Sequence, residues 1–577
     1  MNADSNIKAD AARAVLESGR RFSACMLWDM QRRFFQERGI AAWRGGVVPE
    51  YITSHPFLAQ AYARVTMEWL REVYCAPEYN SDLPVRVFEL AAGSGRFGFY
   101  FLRAFSQALR IEQKCRPDFF IRPGSVRYIM TDLVEANVEF WRDHEKFAPF
   151  VEAGLLEFQC LDLDWNSNER ALGIPPAGPD ELRANPAAVI ANYCFDSLRN
   201  DVFLVRGGRL FEARVDVLRS AGRTSSLENS WSVECAQNME GPKVGNGMEA
   251  VDFADLELEY SYHAVEDVAG YYQEPEFNSL LAEYETTLSD TVFAFPVGAL
   301  SVLRKFAALS SGRLLLLSAD KGFVREEDLL RGTEPDLVLH GCFSLMVNYH
   351  AIRRFCERRG GSFTQSAAPD ASLKLVSALL GFEESPATIR VEAAAREYLQ
   401  RLNPEDLYLM RKNLAACDER PHCPEAESGA ERVAGLEGIF ARLRFGGYDS
   451  EIFFAVYHRL RALLPAADAG QKREALRIAR EIRANHYSLG ESRDLDFHLG
   501  VLLHEIEYFK ESLWFFERSY ENTPPDANTS YNLAVCHYEL RDFARARRFV
   551  AETLALDSDQ AAARTLRIKL EAESVDS

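Results

Sequence analysis

One short run holds the densest chemistry in the sequence: Val87-Phe-Glu89-Leu-Ala-Ala-Gly93-Ser-Gly95-Arg-Phe-Gly98. Residues 85–90 read as a short buried strand, so the glycines fall in the turn that leaves it. Glycine lets backbone approach a ligand closely, because it has no Cβ and accepts positive φ. Two kinds of nucleotide cofactor use such a turn. A dinucleotide rests its pyrophosphate on the following helix N-terminus, and Gly93, Gly95 and Gly98 have GxGxxG spacing. S-adenosylmethionine carries no phosphate and wants an acid at the strand end. Glu89 stands at that place; its carboxylate disfavours a pyrophosphate and suits an α-ammonium. A turn with no ligand at all is the third reading.

The later strands of the chain favour S-adenosylmethionine. Strand 126–131 ends in Asp132, placed to accept both ribose hydroxyls. Strand 156–161 ends in Asp162, placed to meet the adenine edge, and strand 188–191 ends in Asn192, near the transferred methyl. Ligands bind at the carboxyl ends of strands in parallel sheets, so these ends converge on one crevice. Taken singly, Asp132 is also a good helix N-cap and Asp162 an ordinary loop acid. Their order is what gives them weight.

These side chains need an α/β scaffold. Further strand candidates are 209–215 and 313–318, and helical patterns such as 134–148 lie between strands, which predicts a parallel, Rossmann-like sheet. Residues 1–84 read as a helical cap, beginning with Ala11, Ala14, Val15 and Leu16 on one helix side and broken at Gly45-Gly46-Val47-Val48-Pro49. The sheet domain is expected over 85–385. Residues 386–470 read as a helical linker region with a polar break at 417–429, and 471–577 as an all-α, tetratricopeptide-like domain. There Leu499-Gly500 pairs with Leu533-Ala534, Phe509 with Phe543, Ser512 with Ala546 and Phe516 with Val550, a period of 34. Such stacks offer a concave face to a peptide or protein partner.

The 577 residues carry a formal net charge of −20, which argues against a nucleic-acid or anionic-membrane binder. Residues 224–303 hold 15 Asp+Glu against the single Lys243, so most of the excess sits in one acidic insert able to receive a basic substrate segment. Inside it, 255–262 alternates as a strand with Leu256, Leu258, Tyr260 and Tyr262 on one face. No apolar run is long enough to span a membrane, and the N-terminal residues lack a secretory apolar core. The 11 cysteines are scattered, with no CxxC, which fits a reducing cytoplasm. Cys417, His422 and Cys423 match no common zinc spacing, so no metal is expected.

Set in order, Ile52-Thr53-Ser54-His55-Pro56, Glu89-Leu-Ala-Ala-Gly93-Ser-Gly95, Asn192-Tyr-Cys-Phe-Asp196-Ser-Leu198, Gly208-Arg-Leu-Phe-Glu212 and Val347-Asn348-Tyr349 make a second kind of signal. From about 50 to 362 the chain resembles the MidA-like methyltransferases, the group that includes the mitochondrial complex I assembly methyltransferase. The resemblance implies a class I methyltransferase fold that binds S-adenosylmethionine, with Thr53 and Ala91 joining Glu89, Gly93, Gly95, Asp132 and Asp162 as cofactor residues. It implies protein arginine methylation as the best-known activity. This sequence departs from the family at Ala91 (a glycine there), Tyr193 (a glutamate), Arg199 (a proline) and in Ser318-Ala319-Asp320-Lys321-Gly322, where the family has Asp-Tyr-Gly.

Methyl transfer is an in-line displacement that needs alignment and a dry site. An arginine acceptor also needs carboxylates to orient its guanidinium. Asp196, one helical turn beyond Asn192, is the candidate, with a structural cap as its other reading; Glu212 and the acids of strand 255–262 are further sources. His340 and His350 flank Asn348, and each reads as base or core residue. The Asn/Asp-Pro-Pro-Tyr/Phe signature of nucleic-acid amino methylation is missing after Asn192. Three readings compete: a methyltransferase acting on a protein side chain with repeats choosing the partner, a degenerate fold serving as scaffold, and a small-molecule methyltransferase.

Overall fold

The alternation of apolar runs and amphipathic stretches folds into two compact units, 1–405 and 406–577. The computed structural model describes residues 14–44, 48, 51–115, 124–164, 185–219, 253–330, 333–335, 337–339, 342–366, 373–382, 386–400, 406–411, 413, 429–490 and 493–573. The first unit begins with β1 (Ala14–Arg21), α1 (Met26–Arg38), α2 (Ala41–Arg44) and α3 (Pro56–Cys75). It continues with β2 (Val85–Leu90), α4 (Arg96–Cys115), β3 (Val126–Asp132), α5 (Glu135–Asp143), β4 (Leu156–Cys160) and β5 (Ala187–Asn192). Next come β6 (Asp201–Arg206), β7 (Arg209–Arg219), β8 (Leu256–Ala264), β9 (Thr291–Phe295) and β10 (Leu314–Phe323).

Strands β10, β5, β2, β3 and β4 lie side by side in parallel, extended beyond β10 by antiparallel Leu373–Leu380 and Ser362–Gln365. The chain leaves β2 toward β3 and β4, then returns to its other side with β5. This reversal opens a crevice at the carboxyl ends of β2, β3 and β5. The strands are apolar on both faces: Val87, Phe88, Ala188, Val189, Leu315 and Leu316 are all buried.

A second, antiparallel sheet was not visible in the sequence as a sheet. β6 pairs Arg209–Glu212 of β7, β1 continues that edge along Arg214–Arg219, and β8 pairs the other edge. β9 joins beyond β6. The alternation of 255–262 holds, since Leu256, Leu258, Tyr260 and Tyr262 pack on a cluster with Phe22, Trp28 and Val215. The acidic stretch is not a separate lobe over its described part: β8, β9 and the helix Pro275–Thr287 belong to the sheet and core, and Phe277, Leu280 and Tyr284 are fully buried. Its residues 224–252, Lys243 included, lie outside the described residues, as do Cys417, His422, Cys423 and His340.

The expected N-terminal helix is instead β1. Its side chains are mostly exposed, so no apolar face favours a helix. The open edge of β7 supplies backbone partners, Gly19 adopts φ +65, and Asp216 accepts hydrogen bonds from Ser18 Oγ (2.7 Å) and Gly19 N (2.6 Å). Helix Pro386–Gln400 falls in the first unit, where Arg390 pairs with Glu72 at 2.7 Å.

The second unit is all-helical. Leu495–Glu505, Phe509–Asn522, Ala527–Glu539 and Phe543–Leu556 form consecutive antiparallel pairs at the 34-residue period. The small residues sit at close crossings: a Cβ on Gly500 would lie 2.8 Å from the Phe516 ring, and Ala534 and Ala546 are fully buried. The described cysteines are all free thiols. Among the described residues no group of three His, Cys, Asp or Glu is placed to hold a metal, and no helix is long and apolar enough to cross a membrane.

The turn after β2 is bent by three positive φ values, +50 at Ala91, +54 at Gly93 and +78 at Gly95. An alanine at φ +50 is strained by its Cβ, and glycine is not. Ala91→Gly is therefore expected to raise stability by about 0.5–1 kcal/mol, net of the greater freedom of the unfolded chain. Thermal unfolding checks this; a lowered midpoint would contradict the assigned turn.

Candidate functional site

The carboxyl ends of β2, β3, β5 and β10 surround a cavity of about 220 Å³. Thr53, Glu89, Ala91, Gly93, Asp132, Asp162, Asn192 and Asp196 all line it. Gly95 belongs to the same turn but not to the cavity wall.

At one end sits Glu89, only 4 % exposed, whose Oε2 accepts a hydrogen bond from the Tyr128 hydroxyl at 2.8 Å. Burial pushes its carboxyl up to about 8; the Tyr128 bond pulls the other way, and the charge of Asp132 adds to the rise. Gly98 is needed for this acid. A Cβ there would lie 2.5 Å from Glu89 Oε2 and 3.0 Å from Met130 Sδ. The third glycine of the GxGxxG spacing thus makes room for a carboxylate, not a phosphate.

Asp132 stitches the ends of β2 and β3 together. Its Oδ2 accepts from Gly93 N (2.9 Å), and its Oδ1 from Val134 N (2.9 Å) and Asn137 Nδ2 (3.2 Å). Burial raises its pKa against these donors. A carboxylate has about four acceptor sites, so these three protein bonds do not use all of them. Nor is Asp132 the helix cap, since Val134 holds that position of α5.

Asp162 is committed elsewhere. Both its oxygens take Arg32, Nη1 and Nη2 each at 2.9 Å. Burial opposes its ionisation, but the Arg32 bonds outweigh that and hold its pKa below the ordinary value. Asp162 still lines the cavity, so the Arg32 pair fixes its position at the cavity wall. Next to it, Asp164 accepts from Arg199 Nε (2.8 Å), whose other nitrogens reach Ser23 O (2.8 Å) and Asp29 (3.2 Å). Arg199 therefore ties the N-terminal segment to the crevice.

That segment is the part the sequence reading missed. Trp28, Gln31, Arg32 and Phe35 of α1 and Trp43 of α2 form one wall of the cavity. Gln31 Nε2 donates to Phe343 O at 2.6 Å, and Trp43 stacks on Phe35 (5.9 Å) and lies against Gly93. The helical reading of residues 1–84 covers these positions, but no spacing in the sequence couples 32 to 162.

At the other end, Asn192 Oδ1 accepts from the Tyr62 hydroxyl at 3.1 Å, and its Nδ2 is buried without a partner. Asp196 is 6 % exposed, accepts from Ser197 Oγ at 2.9 Å, and lines the cavity with Lys321. Behind it, fully buried Asp320 accepts from Cys194 N (3.2 Å) and Phe195 N (3.0 Å). Burial raises both carboxyls, and Asp196's charge raises Asp320 further. Several other candidates lie off the cavity wall. His350 is core, bonded to the Tyr284 hydroxyl at 2.8 Å and stacked on its ring. Glu212 is paired with Arg21 (2.9 Å) and Arg214 (2.7 Å), and Asn348 caps the helix Tyr349–Arg358.

The Arg32–Asp162 pair is partly exposed, worth about 0.5–1 kcal/mol. Arg32→Met is expected to speed hydrogen–deuterium exchange across residues 26–38 about two- to fivefold, leaving β2 and β3 unchanged. Unchanged exchange in α1 would mean that the pair does not hold it.

No protein-family model matches the chain, and no curated protein matches it. Solved structures to which the chain is similar include an uncharacterized COG1565 superfamily protein from Burkholderia thailandensis, 14 % identical over 64 % of this chain and 90 % of that one, with a TM-score of 0.36. A COG1565 superfamily member from the same organism, bound to S-adenosyl-homocysteine, is 13 % identical over 64 % and 90 %, with a TM-score of 0.37. The CurJ carbon methyltransferase is 12 % identical over 55 % of this chain and 54 % of its own, with a TM-score of 0.22.

Proposed function

We propose that this protein is an S-adenosylmethionine-dependent methyltransferase with its methyl acceptor at the carboxyl ends of β5 and β10. The observation that carries this is the glycine turn backed by a buried acid: Glu89 occupies the room under Gly98 and borders the same cavity as Asp132 and Asn192. A pyrophosphate would meet the Asp132 carboxylate and keep Glu89 protonated, whereas an α-ammonium draws Glu89 into its ionised form and gains a charge-assisted bond. When bound, S-adenosylmethionine supplies an activated methyl group at that site. Glu89 would hold its ammonium and Asp132 one ribose hydroxyl, while Trp28, Phe35 and Trp43 exclude water. The Asp196 carboxylate, bordering the acceptor end, is the group that can take a proton from the acceptor.

The finer reading rests on the MidA-like resemblance. The acceptor is a side chain of a partner protein, and the 34-residue helix pairs of the second unit dock that partner. The acidic surface of residues 253–303 is open to a basic segment of it. A scaffold without turnover is the second reading, supported by Ala91 and Tyr193, which stand beside the cavity where the MidA-like pattern has a glycine and a glutamate.

The test uses the buried acid. Glu89 holds its proton at pH 7 in the free protein, because its pKa is about 8. An ammonium partner lowers that pKa, so binding expels the proton and affinity rises with pH up to about 8, then levels. Titration with S-adenosylhomocysteine at pH 7, in buffers of different ionisation heat, is expected to show release of close to one proton. Glu89→Gln abolishes that release and weakens binding by about 1.5–3 kcal/mol. No binding at millimolar ligand sinks the cofactor reading; binding without proton release removes Glu89 from it. Labelled methyl transfer to lysate proteins separates enzyme from scaffold.

A further inference from the structure

The acceptor end of the cavity carries two hydrogen-bond donors that have no partner among the described residues. Asn192 Nδ2 is buried without a partner, because Tyr62 already occupies the amide oxygen. Lys321, on β10 and half-buried, lines the same cavity, and no ion pair engages it among the described residues. The acceptors nearby are partly engaged: Asp196 takes the Ser197 hydroxyl, and Asp320, which is not among the cavity-lining residues, takes two backbone N–H groups on one oxygen while its Oδ1 stays buried without a partner. These two carboxyls repel each other's charge, and Lys321 offsets what charge remains.

A guanidinium or ammonium would bring only donors and a second positive charge next to Lys321. A carboxylate would bring acceptors to both idle donors. We infer that the acceptor end takes a molecule bearing a carboxylate, held by Lys321 Nζ and Asn192 Nδ2, with its nucleophilic atom directed toward Asp196. This rests on the methyltransferase reading and narrows its substrate class away from arginine. In the transfer, the acceptor's heteroatom forms a bond to the methyl carbon as the carbon–sulfur bond breaks. The electron pair of that bond stays on sulfur as the thioether, and the heteroatom's proton passes to the Asp196 carboxylate. Lys321 takes no part in the bond changes; it determines which acceptor is held.

The experiment measures binding to the full chain with and without S-adenosylhomocysteine, using three probes: 4-hydroxybenzoate, an acetylated Gly-Glu-Gly amide and an acetylated Gly-Arg-Gly amide. At least one carboxylate probe is expected to bind tenfold or more tighter than the arginine peptide. Lys321→Met is expected to weaken that probe at least tenfold and Lys321→Arg to retain most of it, while S-adenosylhomocysteine affinity stays within twofold. Preference for 4-hydroxybenzoate over the glutamate peptide assigns a free acid; the reverse assigns an acidic segment of a protein. The inference is overturned if the arginine peptide binds best, if no carboxylate probe binds, or if Lys321→Met binds the carboxylate as well as the parent. Failure of the cofactor reading looks different: S-adenosylhomocysteine does not bind, while a Lys321-dependent carboxylate affinity persists in its absence.

Discussion

A carboxylate buried beneath a glycine sets the order of the whole crevice. Glu89 ends the central strand with its side chain turned into the fold, where a Cβ on Gly98 would collide with it. An unpaired buried charge would be costly, and the Tyr128 hydroxyl on the neighbouring strand offsets part of that cost. Tyr128 is in turn fixed by Phe101 of α4, stacked at 4.9 Å. One acid thus accounts for a glycine nine residues onward, a tyrosine on β3 and an aromatic on the helix between them. The same burial keeps it protonated near neutrality, so the site responds most strongly to a ligand that brings a positive charge.

The parts legible in the sequence were those whose cause is local. The β2 turn, the strand ends at Asp132 and Asn192, and the 34-residue spacing each depend on residues a few positions apart, and periodicity or glycine content records them. The second sheet depends on partners far away in the chain. β1 has exposed side chains and a composition that suits a helix; only the free edge of β7, about 200 residues later, makes it a strand. Asp162 is the site's clearest case. Its position at a strand end is legible, but its partner Arg32 stands 130 residues earlier. The acidic count of 224–303 was likewise correct as a sum and uninformative about architecture, because strands and core helices can carry acids on their outer faces.

Of the four described non-glycine residues of the first unit at positive φ, Ala91 and Tyr193 border the cavity, and Asp290 and Ser311 do not. Ala91 and Tyr193 come directly after β2 and β5, adjacent strands, and both adopt positive φ although neither is glycine. Such residues persist only where surrounding structure over-determines them. Around Tyr193 that structure is visible: its N–H donates to Ala319 O at 2.9 Å, and the next two N–H groups donate to Asp320.

The two turns are therefore built on one plan. In each, a buried aspartate from the adjacent strand captures backbone N–H groups of the turn: Asp132 takes Gly93 N beside β2, and Asp320 takes Cys194 N and Phe195 N beside β5. Desolvating a carboxylate is expensive, and these amides recover part of the lost hydration. Each acid shapes a turn, and Asp132, which borders the cavity, also sets its charge. Removing either would change backbone before it changed electrostatics. Asp196 differs, since only its neighbour's hydroxyl engages its side chain among the bonds present. Of the buried aspartates at this edge, it is the one whose proton can move without unmaking a turn, and that freedom, more than its position one turn beyond Asn192, is what suits it to chemistry.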